Sequence, residues 1–118
     1  MSYIDGFVIA VPQANRAQFI EHALTFDSIF MECGATRVME CWGEDVPEGK
    51  LTDFHRAVQA RPDEAVVFSW VEWPDKATRD AGMDRLMKDP RMDAAGAMPF
   101  DGKRMIFGGF VPVVSLPA

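Results

Sequence analysis

Apolar residues along this chain fall into two rhythms, one of period two and one of period three to four, and their alternation sets out the elements. Tyr3 to Pro12 is a β-branched and aromatic run closed by proline, and it predicts a first strand. Asn15, with Gln18 three residues on, resembles a capping box and opens the longest helical pattern. Phe19, Ala23, Phe26, Phe30 and Cys33 recur there at spacings of three and four as one apolar face, with Glu21, Thr25 and Ser28 opposite. Gly34 is placed to end this helix in a left-handed conformation. Thr36 to Glu44 predicts a second strand, and Asp45 to Lys50, with Pro47 and Gly49, is a turn-rich connection. Phe54, Ala57 and Val58 suit a short helix between Asp53 and Ala60, with a strand as the other reading. Ala65 to Trp73 predicts the third strand, ended by Pro74. Asp75 is placed as the N-cap of a helix running to about Lys88, with Met83, Leu86 and Met87 inward. Asp89-Pro90 ends that helix, and a short helical piece is expected around Arg91 to Ala95. Met98 to Gly102 reads as a loop, and Arg104 to Val114 predicts the last strand, with Gly108-Gly109 in its middle.

Strand, long helix, strand, short element, strand, helix, strand is the order of a ferredoxin-like βαββαβ sandwich, an α+β fold with its helices on one sheet face. The right-handed crossover rule leaves few other arrangements. Such a sheet should alternate apolar with polar, and these strands do not. In the first, Phe7, Ile9 and Val11 oppose Ile4, Val8 and Ala10; in the third, Val66, Phe68 and Trp70 oppose Val67 and Val71. In the last, Ile106 and Phe110 oppose Met105, Phe107 and Val111. An apolar face of that size is a sticky patch when left in water. A second copy of the chain covering it, as a dimeric α/β barrel, is the expectation; loops covering it in a monomer is the other reading.

A length of 118 residues suits one domain, residues 1–118, large enough for a single core. The 48% hydrophobic and 25% charged content is that of an ordinary globular domain. No apolar run approaches the ~20 residues of a membrane span, and no basic-then-apolar leader is evident, so a cytoplasmic location is expected. The net charge of −6 opposes binding to nucleic acid or an anionic membrane. Cys33 and Cys41 read as buried thiols.

Several strings are more specific. Tyr3-Ile-Asp-Gly-Phe-Val-Ile-Ala-Val-Pro12, Glu40-Cys-Trp42, Asp45-Val-Pro47 and Thr52-Asp-Phe54 occur in order. Val66-Val-Phe-Ser-Trp-Val-Glu-Trp-Pro74, Asp89-Pro-Arg-Met92 and Met98-Pro-Phe-Asp-Gly-Lys-Arg-Met105 follow. Together they resemble the YbaA-like family of uncharacterised bacterial proteins over nearly the whole chain. The resemblance implies a dimeric α/β barrel and supplies no activity. The wider superfamily looks similar to cofactor-free quinol monooxygenases, haem-dependent enzymes and stress-response proteins, a set among which fold cannot choose.

Candidate chemistry is sparse. Glu40 and Trp42 share one face of the second strand, and Trp70 and Glu72 share one face of the third. If the strands pair with those faces together, two carboxylates and two indoles line one cavity, where a raised carboxyl pKa suits acid–base work. Otherwise both glutamates are solvated or paired with Arg37 or Arg104. Lys50, Asp53, Asp101, Lys103 and Arg104 gather in two loops, either as a ligand site or as turn-closing salt bridges. Gly108-Gly109 either admits a ligand or marks a bulge. Trp42, Trp70 and Trp73 either line a pocket or fill the core, and the eight methionines read as core filler. His22 and His55 have no partner at ligand spacing, so neither a metal nor a cofactor is expected. No phosphate-binding or nucleophile motif is present. Two functions fit: a small-molecule-binding protein or cofactor-free, monooxygenase-like enzyme using a barrel cavity, or a non-catalytic regulatory subunit.

Overall fold

Four antiparallel strands form one sheet in the order β2-β3-β1-β4. A computed structural model describes residues 2–93 and 98–117. The strands are β1 (Tyr3–Pro12), β2 (Arg37–Trp42), β3 (Glu64–Trp73) and β4 (Ile106–Phe110). The helices are α1 (Arg16–Glu32), α2 (Phe54–Ala57), α3 (Lys76–Met87) and α4 (Pro90–Asp93). This is the ferredoxin-like order, with β1 and β3 central and paired over their whole lengths. Of the helical piece expected around Arg91 to Ala95, Ala94 and Ala95 lie outside the described residues.

One face of the sheet carries α1 and α3. Val11, Val67, Val71 and Trp73 point into that layer, where Ile29 of α1 and Leu86 of α3 complete a core of fully buried side chains. Each contributes roughly 1.5–3 kcal/mol by leaving water. Gly34, at φ 115°, turns the chain from α1 into β2. Asp75 caps α3 by accepting from the Thr78 amide at 2.7 Å, as its position predicts. The capping box at Asn15 does not form: a 3-10 turn over Gln13–Asn15 precedes α1, and the Asn15 amide donates instead to the Pro99 carbonyl at 3.0 Å. A buried ion pair straps α3 to the sheet. Arg79 donates to both Asp5 oxygens at 2.8 and 3.0 Å, and the Trp73 indole donates to the same carboxylate at 2.9 Å.

Among the described residues the other face is covered at one end, by the segment around α2. There Val58 packs on Ala10 and Val66, and Phe54 meets Phe68 edge-on. Beyond that, Ile4, Val8, Phe68, Trp70, Ile106 and Phe110 line an open concavity of about 690 Å³. β4 is shorter than its sequence predicts, and its Gly108-Gly109 pair stays in regular register with Gly6 and Asp5, so there is no bulge. The Tyr3 ring explains Gly109: a Cβ there would run into the tyrosine hydroxyl. Among the described residues no helix is long and apolar enough to cross a membrane.

Candidate functional site

Register decides which side chains meet. In the β2–β3 ladder Glu40 lies opposite Ser69 and Met39 opposite Trp70. Directly opposed residues share a face, so Glu40 and Trp42 point toward the helices while Trp70 and Glu72 point away from them. The cavity expected to hold all four does not exist. Trp70 and Glu72 instead pair with each other on the open face, the indole donating to the glutamate at 2.9 Å. Trp42 packs on Phe19 under the Arg16 guanidinium, 5.4 Å from its ring centroid, and Trp73 is sealed in the core.

The polar loop cluster resolves into structural roles. Asp53 caps α2, accepting from the Arg56 and Gly49 amides at 2.7 and 3.1 Å. Asp101 caps a 3-10 turn over Gly102–Arg104, accepting from the Lys103 amide at 3.0 Å. Arg104 makes two 2.7 Å bonds to Glu64, one more to Asp101 and one to the Gln59 carbonyl. The Lys103 side chain is exposed, and Lys50 contributes its carbonyl to Arg56. Asp53 and Asp101 therefore serve the backbone, and Arg104 ties its turn to the α2–β3 connection.

What the sheet and helices do enclose is a second, different site. A cavity of about 530 Å³ lies between α1, α3 and the covered face. Phe7, Phe19, Phe26, Phe30 and Phe100 form its aromatic walls, and methionines from α3, α4 and the following loop ring one side. At its polar end Asp27 of α1 meets Glu40 of β2, the two carboxyls within hydrogen-bonding reach, with the Ser69 hydroxyl donating to Glu40. Desolvation, the Asp27 charge and the hydrogen bond that protonated Glu40 donates to Asp27 raise the Glu40 pKa to about 8. Desolvation raises Asp27 as well. Two adjoining carboxyls, each raised above its ordinary range, are a pair suited to acid–base work. His22 lines the same cavity, its ring 4.4 Å from Phe26 and 5.8 Å from Phe100, and burial lowers its pKa.

Among the described residues no lysine or arginine lines this cavity, and no cluster of metal-ligating side chains is present. A groove of about 570 Å³ runs along the outer side of α1, between it and β2, with Arg16 and Arg37 at its rim. Glu40, an exposed residue of β2, lines that groove as well as the cavity.

Asp27 is the residue that sequence reasoning missed. It stands four residues after Ala23 and three before Phe30, on the apolar stripe of α1, and an acid at such a position is the signal that marks it.

Known proteins resemble the chain at two levels. The model of a family described as "Protein of unknown function (DUF1428)" matches residues 2–102. The uncharacterized protein YbaA of Escherichia coli K12 is 52% identical over 115 residues, covering 97% of this chain and 98% of that one. Among solved structures, SnoaB from Streptomyces nogalater, a cofactor-independent oxygenase, superposes with a TM-score of 0.65 at 15% identity, over 99% of this chain and 98% of that one. A dimeric ferredoxin-like protein from an uncultured marine organism gives 0.59 at 11% identity, over 98% of each chain. Both structural likenesses concern the fold.

Proposed function

The chain belongs to the DUF1428 family of proteins of unknown function, and from that premise we propose that it binds an apolar small molecule in the sheet–helix cavity and acts on it, without a cofactor, through Asp27 and Glu40. The observation that carries this reading is the carboxyl pair at the polar end of an otherwise aromatic and methionine-lined cavity. The cavity lies within the ~300–1,000 Å³ range of small-molecule sites, and convergent polar groups in an apolar pocket are the usual mark of one. Asp27, as the ionised partner, is the base toward a weakly acidic proton of the ligand; Glu40, with Ser69 behind it, holds the shared proton. The ligand anion then reduces dioxygen in a monooxygenase-like reaction: one ligand carbon gives up two hydrogens and takes one oxygen atom as a carbonyl, and the other oxygen leaves as water with the equivalent of those two hydrogens. SnoaB, on the same fold, lends this form of the reaction precedent.

The second part of the proposal is a homodimer joined through the open sheet face, in the cytoplasm. Phe68, Trp70, Ile106 and Phe110 give that face an apolar centre, and a stable interface takes about 800 Å² from each partner. A ferredoxin-like neighbour described as dimeric supports it. The apolar face also suits a non-catalytic subunit with another partner, a reading that a self-contained homodimer removes.

Thermal-shift screening with aromatic phenols, aldehydes and flavins tests the ligand site. A ligand at a hundredfold excess over its Kd adds about 2.7 kcal/mol to stability. The stabilisation is expected to fall in Asp27→Asn and Glu40→Gln and to persist in Glu72→Gln, on the other face. No shift with any compound, or equal loss in all three variants, contradicts the proposal.

A further inference from the structure

The cavity and the outer groove lie on opposite sides of α1, and they share four lining residues: Phe19, Ala23, Asp27 and Glu40. Only the last two carry protons. We infer that the Asp27–Glu40 pair opens on both sides, so that a proton taken from a ligand in the cavity leaves through the groove and not through the ligand's own entrance. This rests on the cavity being a ligand site, and it adds the direction of proton flow.

Three features support the route. Glu40 sits on β2, an edge strand, so among the described residues no further strand closes its outer side. It is an exposed residue that lines the groove, where Ser28 and Thr36 supply hydroxyls. The ligand's side is marked by half-exposed Met98 and by Met87 and Phe107, more exposed still, all on the cavity wall.

The charged and titratable groups facing the pair divide the same way. Ser69 from β3 and His22 from α1 belong to the cavity, Arg16 from α1 and Arg37 from β2 to the groove.

The step balances without a co-reactant. The ligand's acidic bond breaks, its proton passes to the ionised carboxylate, and the proton already held by the pair passes to groove water. The pair ends as it began, singly protonated, and the ligand remains as its anion. A ligand can therefore plug its entrance and exclude water while charge is still exported.

Carbodiimide-driven coupling of glycine amide to Glu40, followed by peptide mass mapping, reads this directly. The probe is 1-naphthol, its occupancy reported by the rise in melting temperature, with exposed Asp84 as internal standard. With the probe bound, Glu40 labelling is expected to stay within about twofold of the free protein, because the groove remains wet. Filling the groove by Leu24→Trp with Ser28→Trp, both exposed positions, should then slow labelling about tenfold while Asp84 is unchanged. A probe that raises the melting temperature and itself protects Glu40 about tenfold overturns the second opening and leaves the ligand site standing. Unchanged labelling in the groove-filled variant overturns it too. Absence of any stabilisation by the probe removes both.

Discussion

On the helix side of the sheet Val11, Val67, Val71 and Trp73 are sealed at 0–2% exposure, whereas on the other side Phe68, Ile106 and Phe110 keep 47, 44 and 59%. Both faces are apolar, so hydrophobicity does not separate them. What separates them is how their acids are held: on the covered side Asp5 sits in the α3 strap and Asp27 meets Glu40 at the cavity, while on the open side Glu72 takes the Trp70 indole. A carboxyl under a helix layer is costly unless paired, and the two solutions differ in kind. Asp5 has a guanidinium and an indole and is a fixture. Among the described residues Asp27 and Glu40 meet each other and Ser69 and form no ion pair. The open face carries its one tight ion pair, Glu64–Arg104, at the end where α2 already covers it. The proposed ligand site thus lies on one face, and the proposed dimer contact on the other.

The largest way to break this contrast is Trp73→Ala. It removes a fully buried indole and the donor to Asp5, and about 3–5 kcal/mol of stability should go, read by denaturant unfolding. A loss no greater than that of a typical surface substitution would mean the covered face is not the core.

Next is Arg104→Met. The guanidinium holds the Glu64 pKa at about 2 against an ordinary 4.5. A lowered carboxyl pKa stabilises fully above pH 4.5, and that share is lost as pH falls toward 2. The variant should therefore be weaker by on the order of 2 kcal/mol at neutral pH and flatter in stability between pH 4.5 and 2. An unchanged acid limb would separate the pair from the fold's stability.

Smallest for the protomer, yet decisive for the open face, is Phe110→Asp. Unfolding of the isolated protomer should change by about 1 kcal/mol or less. Light scattering should show the native protein at twice its 13.2 kDa chain mass and the variant as a single chain. A native monomer would leave the open face without its occupant.

Much of this was legible in the residues. Proline-closed β-branched runs located β1 and β3, and Asp75 marked the start of α3. β4 fell short of its predicted span because its partner runs out: Ile4 pairs with Phe110, leaving β1 little strand for Val111 to Val114. The grouping of Glu40 with Glu72 failed because a one-residue phase in the ladder sends alternate side chains to opposite faces, and sequence shows alternation without its phase. Asp53 and Asp101 read as site candidates by composition, whereas their amide partners are local and give them to capping. Asp27 stood on the apolar stripe of α1, and only β2 laid beneath it shows that its partner there is Glu40.

The central claim is that Asp27 and Glu40 share a proton in the cavity, and carboxyl carbon NMR of the protein across pH 3 to 10 tests it most directly. Glu40 should titrate with a midpoint near 8, and the midpoint should drop in Asp27→Asn, which removes a neighbouring charge and leaves desolvation in place. A Glu40 midpoint near its ordinary 4.5 in native protein and variant alike would contradict the account.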